Sequence, residues 1–244
     1  MSSVESLVQS MQFQWQRHEI LANNLANVST TAFKRDDLSL VPDSVAMATR
    51  SANVTPLPAG GSLLQWTDFS QGFVQGTGRV LDAAINGPGF FVVDTPAGPR
   101  YTRSGAFNVR PDGVLVGAGG MPILGRVGTP ITLTSSTNVH INAGGEVLEN
   151  GRLVDTLRIV DFPKPYRFLK EGDGLYAAID LAVEPVDAQG FEVVGGALES
   201  SNVGTVQMMV TMIDVLRTYE TAARALQSFE DVNEIATSDI GKVS

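Results

Sequence analysis

The sequence predicts an α+β protein, with N- and C-terminal α-helices pairing as a coiled-coil-like helical domain and a central all-β domain of short hairpins. Two observations predict it. Apolar residues recur at helical spacing at both ends of the 244-residue chain, and between the ends short β-prone runs alternate with turn-forming residues.

At the N-terminus, Val4, Val8, Met11 and Trp15, continued by Ala22 and Leu25, form one stripe at helical spacing, flanked by Leu7, Met11, Leu21, Leu25 and Val28. Ser2 with Glu5 fits a capping box, and Asn23, Asn24 and Asn27, weak helix formers, mark the fraying end. Residues 1–30 therefore read as the first helix of an assembly domain.

At the other end, Met208, Met212, Val215, Tyr219, Ala222, Leu226 and Phe229 follow a 4-3 spacing that continues through Asn233 and Ala236. A second row, Met209, Ile213, Leu216 and Ala223, flanks the first, which makes the apolar face too wide for one partner helix. Residues 198–244 read as the second helix of the assembly domain.

Residues 67–197 read as the β domain. Its β-prone runs include Phe90 to Val93, Val114 to Val116, Ile131 to Leu133, Val139 to Ile141, Thr156 to Phe162 and Glu192 to Val194. Turn signals separate them, among them Asn86-Gly87-Pro88-Gly89, Pro111-Asp112-Gly113, Asn150-Gly151 and Gly172-Asp173-Gly174. Residues 31–66, polar and punctuated by Pro42, Pro56, Pro58 and Gly60-Gly61, fit neither pattern and read as an extended connector that becomes ordered against a neighbouring subunit.

Composition narrows the function. A net charge of −9 repels phosphate backbones and anionic lipid, so neither nucleic acid nor a membrane surface is expected as partner. No apolar run approaches the roughly 20 residues of a membrane span, so no direct membrane insertion is expected. The start has no basic region before an apolar stretch, and a cleaved secretory signal is not expected. With no cysteine there is neither disulfide nor thiolate chemistry.

Catalytic hardware is equally sparse. His18 and His140 are the only histidines, lie far apart in sequence, and form no zinc motif; no cofactor or metal is expected. None of the phosphate-loop, dinucleotide or nucleophile-elbow strings occurs. Asp161, Asp173 and Asp187 stand near turns, where a glycosidase could set an acid and a base, yet no spacing specifies such a pair. An enzyme is not expected.

A stripe of Met and aromatic residues at helical spacing is commonly internal core. Here the two stripes sit at opposite ends of the chain, flank a self-sufficient β-rich middle, and use adaptable Met side chains, which points to assembly with other subunits. The expected interface residues are Val4, Val8, Met11, Trp15, Leu21 and Leu25 from the first helix, with Met208, Met212, Val215, Tyr219, Leu226 and Phe229 from the last. Asn24, Asn27 and Phe33 are expected to fix the exit from the first helix.

Three motifs resemble the bacterial flagellar rod and hook axial protein family. Asn23-Asn24-Leu25-Ala26-Asn27-Val28-Ser29-Thr30-Thr31-Ala32-Phe33-Lys34 is similar to its rod signature, which normally carries Pro-Gly where this chain has Thr31-Ala32. Leu81-Asp82-Ala83-Ala84-Ile85-Asn86-Gly87-Pro88-Gly89-Phe90-Phe91, with Tyr101-Thr102-Arg103-Ser104-Gly105-Ala106-Phe107 and Pro111-Asp112-Gly113, resembles the shared β domain. Leu198-Glu199-Ser200-Ser201-Asn202-Val203, leading into Met212-Ile213 and Tyr219-Glu220, resembles the C-terminal helix. The short chain and the ending Asp231-Val232-Asn233-Glu234 point to the proximal rod subunits.

The resemblance implies a structural subunit of the basal-body rod, whose paired termini line the inner wall of a hollow, torque-transmitting axial tube, with the β domain outside. It implies partners among other flagellar rod and hook axial subunits and copies of itself. It further implies passage through the flagellar type III export apparatus to a periplasmic rod in the basal body. The alternatives are a distal rod or hook-like axial subunit and, more remotely, a secreted β-rich fibre or adhesin, or a carbohydrate-active enzyme.

Overall fold

The computed structural model describes residues 3–44, 54–57, 61–134, 138–180 and 183–240. Ser2 of the expected capping box lies outside the described residues, as do Pro58 and Gly60 and the side chains of Asn233 and Ala236. The protein is α+β, with helices α1 (Ser3–Ala26) and α2 (Thr205–Ile240) and many short antiparallel strands between them. The chain divides into a helical unit, Met1–Ala26, Asp36–Asp68 and Gly204–Ser244, and a β unit, Asn27–Arg35 and Phe69–Val203.

Within the helical unit α1 packs against α2, and the Trp15 and Tyr219 rings lie 6.3 Å apart. The stretch read as a connector contributes an antiparallel sheet in the order Asp36–Val41, Ser62–Thr67, Val54–Pro56. Leu38, Leu57 and Leu63 are buried there, with Phe13 and Ile20 of α1 packed on them. Leu38 and Leu63 share one face of this small sheet, while the other mixes Asp37 and Ser39 with Val41, Leu64 and Trp66, so no clean alternation stands out in the sequence.

The β unit is organised by the strand Phe90–Val93, all four residues of which are buried. Phe91 and Val93 point into one core with Ile85, Phe107, Leu115 and Ile123. Phe90 and Val92 point into a second, aromatic core with Tyr101, Phe162, Phe168 and Tyr176. Period-two alternation thus lets one apolar strand serve two cores. Phe90–Val93 lies within a six-stranded antiparallel sheet in the order Phe168–Gly172, Leu175–Ala178, Arg100–Thr102, Phe90–Val93, Ile159–Asp161, Val186–Asp187.

The turn chemistry explains the hairpins. At Asn150-Gly151 both φ angles are positive, 52° and 76°, the geometry a two-residue hairpin between Glu149 and Arg152 requires. The run Thr156 to Phe162 is not one strand. Arg152–Thr156 ends in a three-stranded sheet, Leu157 N donates to Gly145 O at 2.8 Å, and the chain joins the six-stranded sheet at Ile159. The Ile131 to Leu133 run forms only an isolated bridge at Thr132, since Ile131 and Leu133 are drawn into the core instead.

Unit boundaries differ by a few residues from the expected 1–30 and 198–244. Asn27–Arg35 and the segment up to Val203 fold with the β unit.

Candidate assembly interface

On α2, Met208, Val215 and Ala222, spaced by seven, are buried, while Met212, Tyr219 and Leu226 between them are half-buried. That heptad row forms the inner face of the helix. The flanking face exposes Val206, Met209, Val210, Ile213 and Leu216, and further along Phe229 and Val232. Met208 is 7 % exposed and its neighbour Met209 49 %, so one residue step crosses from core to surface. A cluster of exposed apolar residues of this kind is a candidate site of contact.

On α1, Leu21 is buried and Met11 and Leu25 are half-buried, whereas Val4, Val8 and Trp15 of the predicted stripe are exposed. Trp15 retains 54 % exposure although it lies near Tyr219 and stacks against His18 at 6.2 Å.

Asn24 is buried and exchanges two hydrogen bonds with the backbone of Asp36, its Nδ2 donating to Asp36 O (2.7 Å) and its Oδ1 accepting from Asp36 N (2.9 Å). This pair closes the excursion between α1 and the small sheet. Asn27 accepts from Thr30 through its carbonyl (3.1 Å) and Oδ1 (3.0 Å), and Lys170 Nζ stands 4.6 Å over the Phe33 ring.

Sequence reasoning missed a polar node inside the β unit. Glu199 is fully buried; its Oε1 accepts from Lys34 Nζ (2.5 Å) and Gly72 N (2.8 Å), and its Oε2 from Arg103 Nε (3.0 Å). Lys34 Nζ also donates to Ser70 O (2.7 Å), and Arg103 Nη1 to the carbonyls of Gly87 (3.0 Å) and Gly89 (2.6 Å). Buried charges persist only when paired and hydrogen-bonded, and these are. A Cβ on Gly72 would fall 2.0 Å from Ser200 O, so only glycine lets the two backbones approach. Each of the three motifs quoted above donates one member: Lys34, Arg103 and Glu199.

Among the described residues of the β unit, Asp161, Asp173 and Asp187 do not come together as a catalytic pair. Asp161 accepts from the Tyr166 hydroxyl (2.7 Å), a bond that adds to burial in raising the tyrosine pKa, and Asp173 occupies a turn with φ 49°. Asp187 lies exposed on an edge strand. A cavity of about 260 Å³ beside Phe69, Phe90 and Tyr166 has no carboxylate in its lining. A wider one of about 770 Å³ has Asp112 alone, its pKa lowered chiefly by the Val114 amide. No cluster of His, Asp or Glu suited to a metal occurs among the described residues, and no described helix is long and apolar enough to cross a membrane.

A helical pair that leaves an apolar face exposed has the surface of an assembling class of protein. Residues 84–149 match the flagellar hook protein FlgE/F/G D1 domain, and residues 194–238 match the C-terminal domain of the flagellar basal body rod FlgEFG proteins. The flagellar basal-body rod protein FlgF of Caulobacter vibrioides is 34 % identical over 229 residues, covering 93 % of this chain and 92 % of that protein. FlgF of Rhizobium meliloti is 30 % identical, covering 92 % of each. FlgG of Buchnera aphidicola subsp. Schizaphis graminum is 31 % identical, covering 87 % of this chain and 90 % of its own.

The chain belongs to the flagellar basal-body rod protein family. It is a structural subunit of the rod in the flagellar basal body, not an enzyme, and its partners are other axial flagellar subunits. The resemblance carried by the three motifs is upheld.

Proposed function

We propose that the chain works in the proximal, periplasmic part of the rod, reached through the flagellar type III export apparatus. There it joins other axial subunits and copies of itself by head-to-tail helical packing, the symmetry that extends a tube. Residues 1–30 and 198–244 serve as its assembly domain, with α1 and α2 paired as a coiled coil. Residues 31–66 link them to the β domain, 67–197.

One observation carries this reading: beside its filled heptad seam α2 keeps an apolar row, Val206, Met209, Ile213 and Leu216, that is exposed among the described residues. Neighbouring helices that cover this row, together with Val4, Val8, Trp15 and Phe229, would gain about 25 cal/mol per Å² of apolar surface. Buried Met208, Val215, Leu21 and Asn24 hold the shape of the unit that offers the row, while half-buried Met11, Met212, Tyr219, Leu25 and Leu226 border it. The Lys34–Glu199–Arg103 node, which ties together three distant segments of the β unit, supports a role in carrying load.

The test is incorporation. Ile213→Asp in the full chain is expected to abolish its recovery in purified basal bodies while leaving its melting temperature unchanged. Wild-type recovery of that variant would refute the proposal.

A further inference from the structure

Two edges of the β unit carry exposed charges of opposite sign that have no side-chain partner among the described residues. The first edge is Arg152–Thr156, the outer strand of the sheet Val139–Ile141, Glu146–Glu149, Arg152–Thr156. Leu153 is 58 % exposed and Val154 is exposed beside it. Arg126 N donates to Thr156 O (2.9 Å), which brings the turn bearing Arg126 and the exposed Val127 to the end of this strand. Arg126 and Arg152 are exposed, and their guanidinium groups make neither a hydrogen bond nor an ion pair among the described residues. The acids beside them are engaged elsewhere, Glu149 by Thr134 N (3.2 Å) and Asp155 by Thr156 N (2.7 Å).

The second edge is Val186–Asp187, at the border of the six-stranded sheet. Val186 is 59 % exposed, and Glu184 and Asp187 beside it in the chain are exposed without a side-chain partner among the described residues.

An edge strand with exposed apolar side chains is a template for pairing, and proteins usually blunt it. Here the exposed side-chain charges without a partner among the described residues are cationic at the first edge, Arg126 and Arg152, and anionic at the second, Glu184 and Asp187. Like edges repel, which disfavours a closed two-fold contact, while opposite edges attract. Unpaired arginines on a chain of net charge −9 are themselves a sign of an acidic partner surface, and this chain carries such a surface on a different sheet.

We infer that the Arg152–Thr156 edge of one copy docks on the Val186–Asp187 edge of the next copy in the rod. The contact is heterologous, so it propagates rather than closes. This inference rests on the rod reading above and names the partner surface on the β unit.

The chain contains no cysteine, so engineered pairs report contacts without background. Full-length chain with Leu153→Cys and Val186→Cys together, oxidised in isolated basal bodies, is expected to form disulfide-linked multimers, and each single-cysteine chain none. Basal bodies that contain the variant without linked multimers would overturn the interface and leave the rod reading intact. Absence of the wild-type chain from basal bodies would overturn both.

A charge-swap series gives an independent readout should the cysteine variant fail to incorporate. Arg126→Glu with Arg152→Glu, or Glu184→Arg with Asp187→Arg, is expected to lower incorporation at least about tenfold. The combined four-fold swap is expected to restore it. Undiminished incorporation of either swap, or no recovery in the combination, would overturn the interface.

Discussion

Ala32 has φ 56°, in the left-handed region, and is buried in the turn that follows α1. An L-residue pays roughly 1–2 kcal/mol there, which gives a physical reason for the glycine that the related rod signature carries at this position. Gly would relieve that strain but would lose a buried methyl and gain unfolded-state entropy, so Ala32→Gly is expected to change stability by less than about 1 kcal/mol. Ala32→Val adds a β-branch to the same backbone and is expected to cost at least about 2 kcal/mol in urea unfolding. Glu199 sets a second residue-scale expectation. Glu199→Gln removes the carboxylate that the two buried cations share and should destabilise the β unit by about 3–5 kcal/mol. Lys34→Met should cost clearly less, because Arg103 and Gly72 N still hold the carboxylate. This node was illegible in the sequence: its members stand at positions 34, 103 and 199, and no local spacing announces that they meet.

At the scale of elements, the periodicities carry most of the information. The heptad row of α2 is plain in the sequence, and so are the strand Phe90–Val93 and the Asn150-Gly151 hairpin. What periodicity leaves open is which of two adjacent apolar rows faces inward, since Met208 and Met209 are equally apolar; that choice is made by tertiary packing. The sheet of Asp36–Val41, Ser62–Thr67 and Val54–Pro56 escaped notice for a related reason, its central strand being the last of the three in sequence. The two α2 rows make a paired prediction. Val215→Ala empties a buried seam position and should cost about 2 kcal/mol, whereas Ile213→Ala, 52 % exposed, should stay within about 0.5 kcal/mol. Thermal unfolding of the two variants checks the contrast, and equal losses would mean that both rows are internal core.

For the whole molecule, the family relationship and the exposed helix face support the proposal that neighbours complete the α2 surface. Adjacent methionines on the two faces of α2 supply a direct probe, because oxidation follows exposure. Oxidative footprinting of the free chain and of isolated basal bodies should modify Met209 in the free chain, protect it in the rod, and leave Met208 protected in both. Equal oxidation of Met209 in the free chain and in the rod would contradict the account.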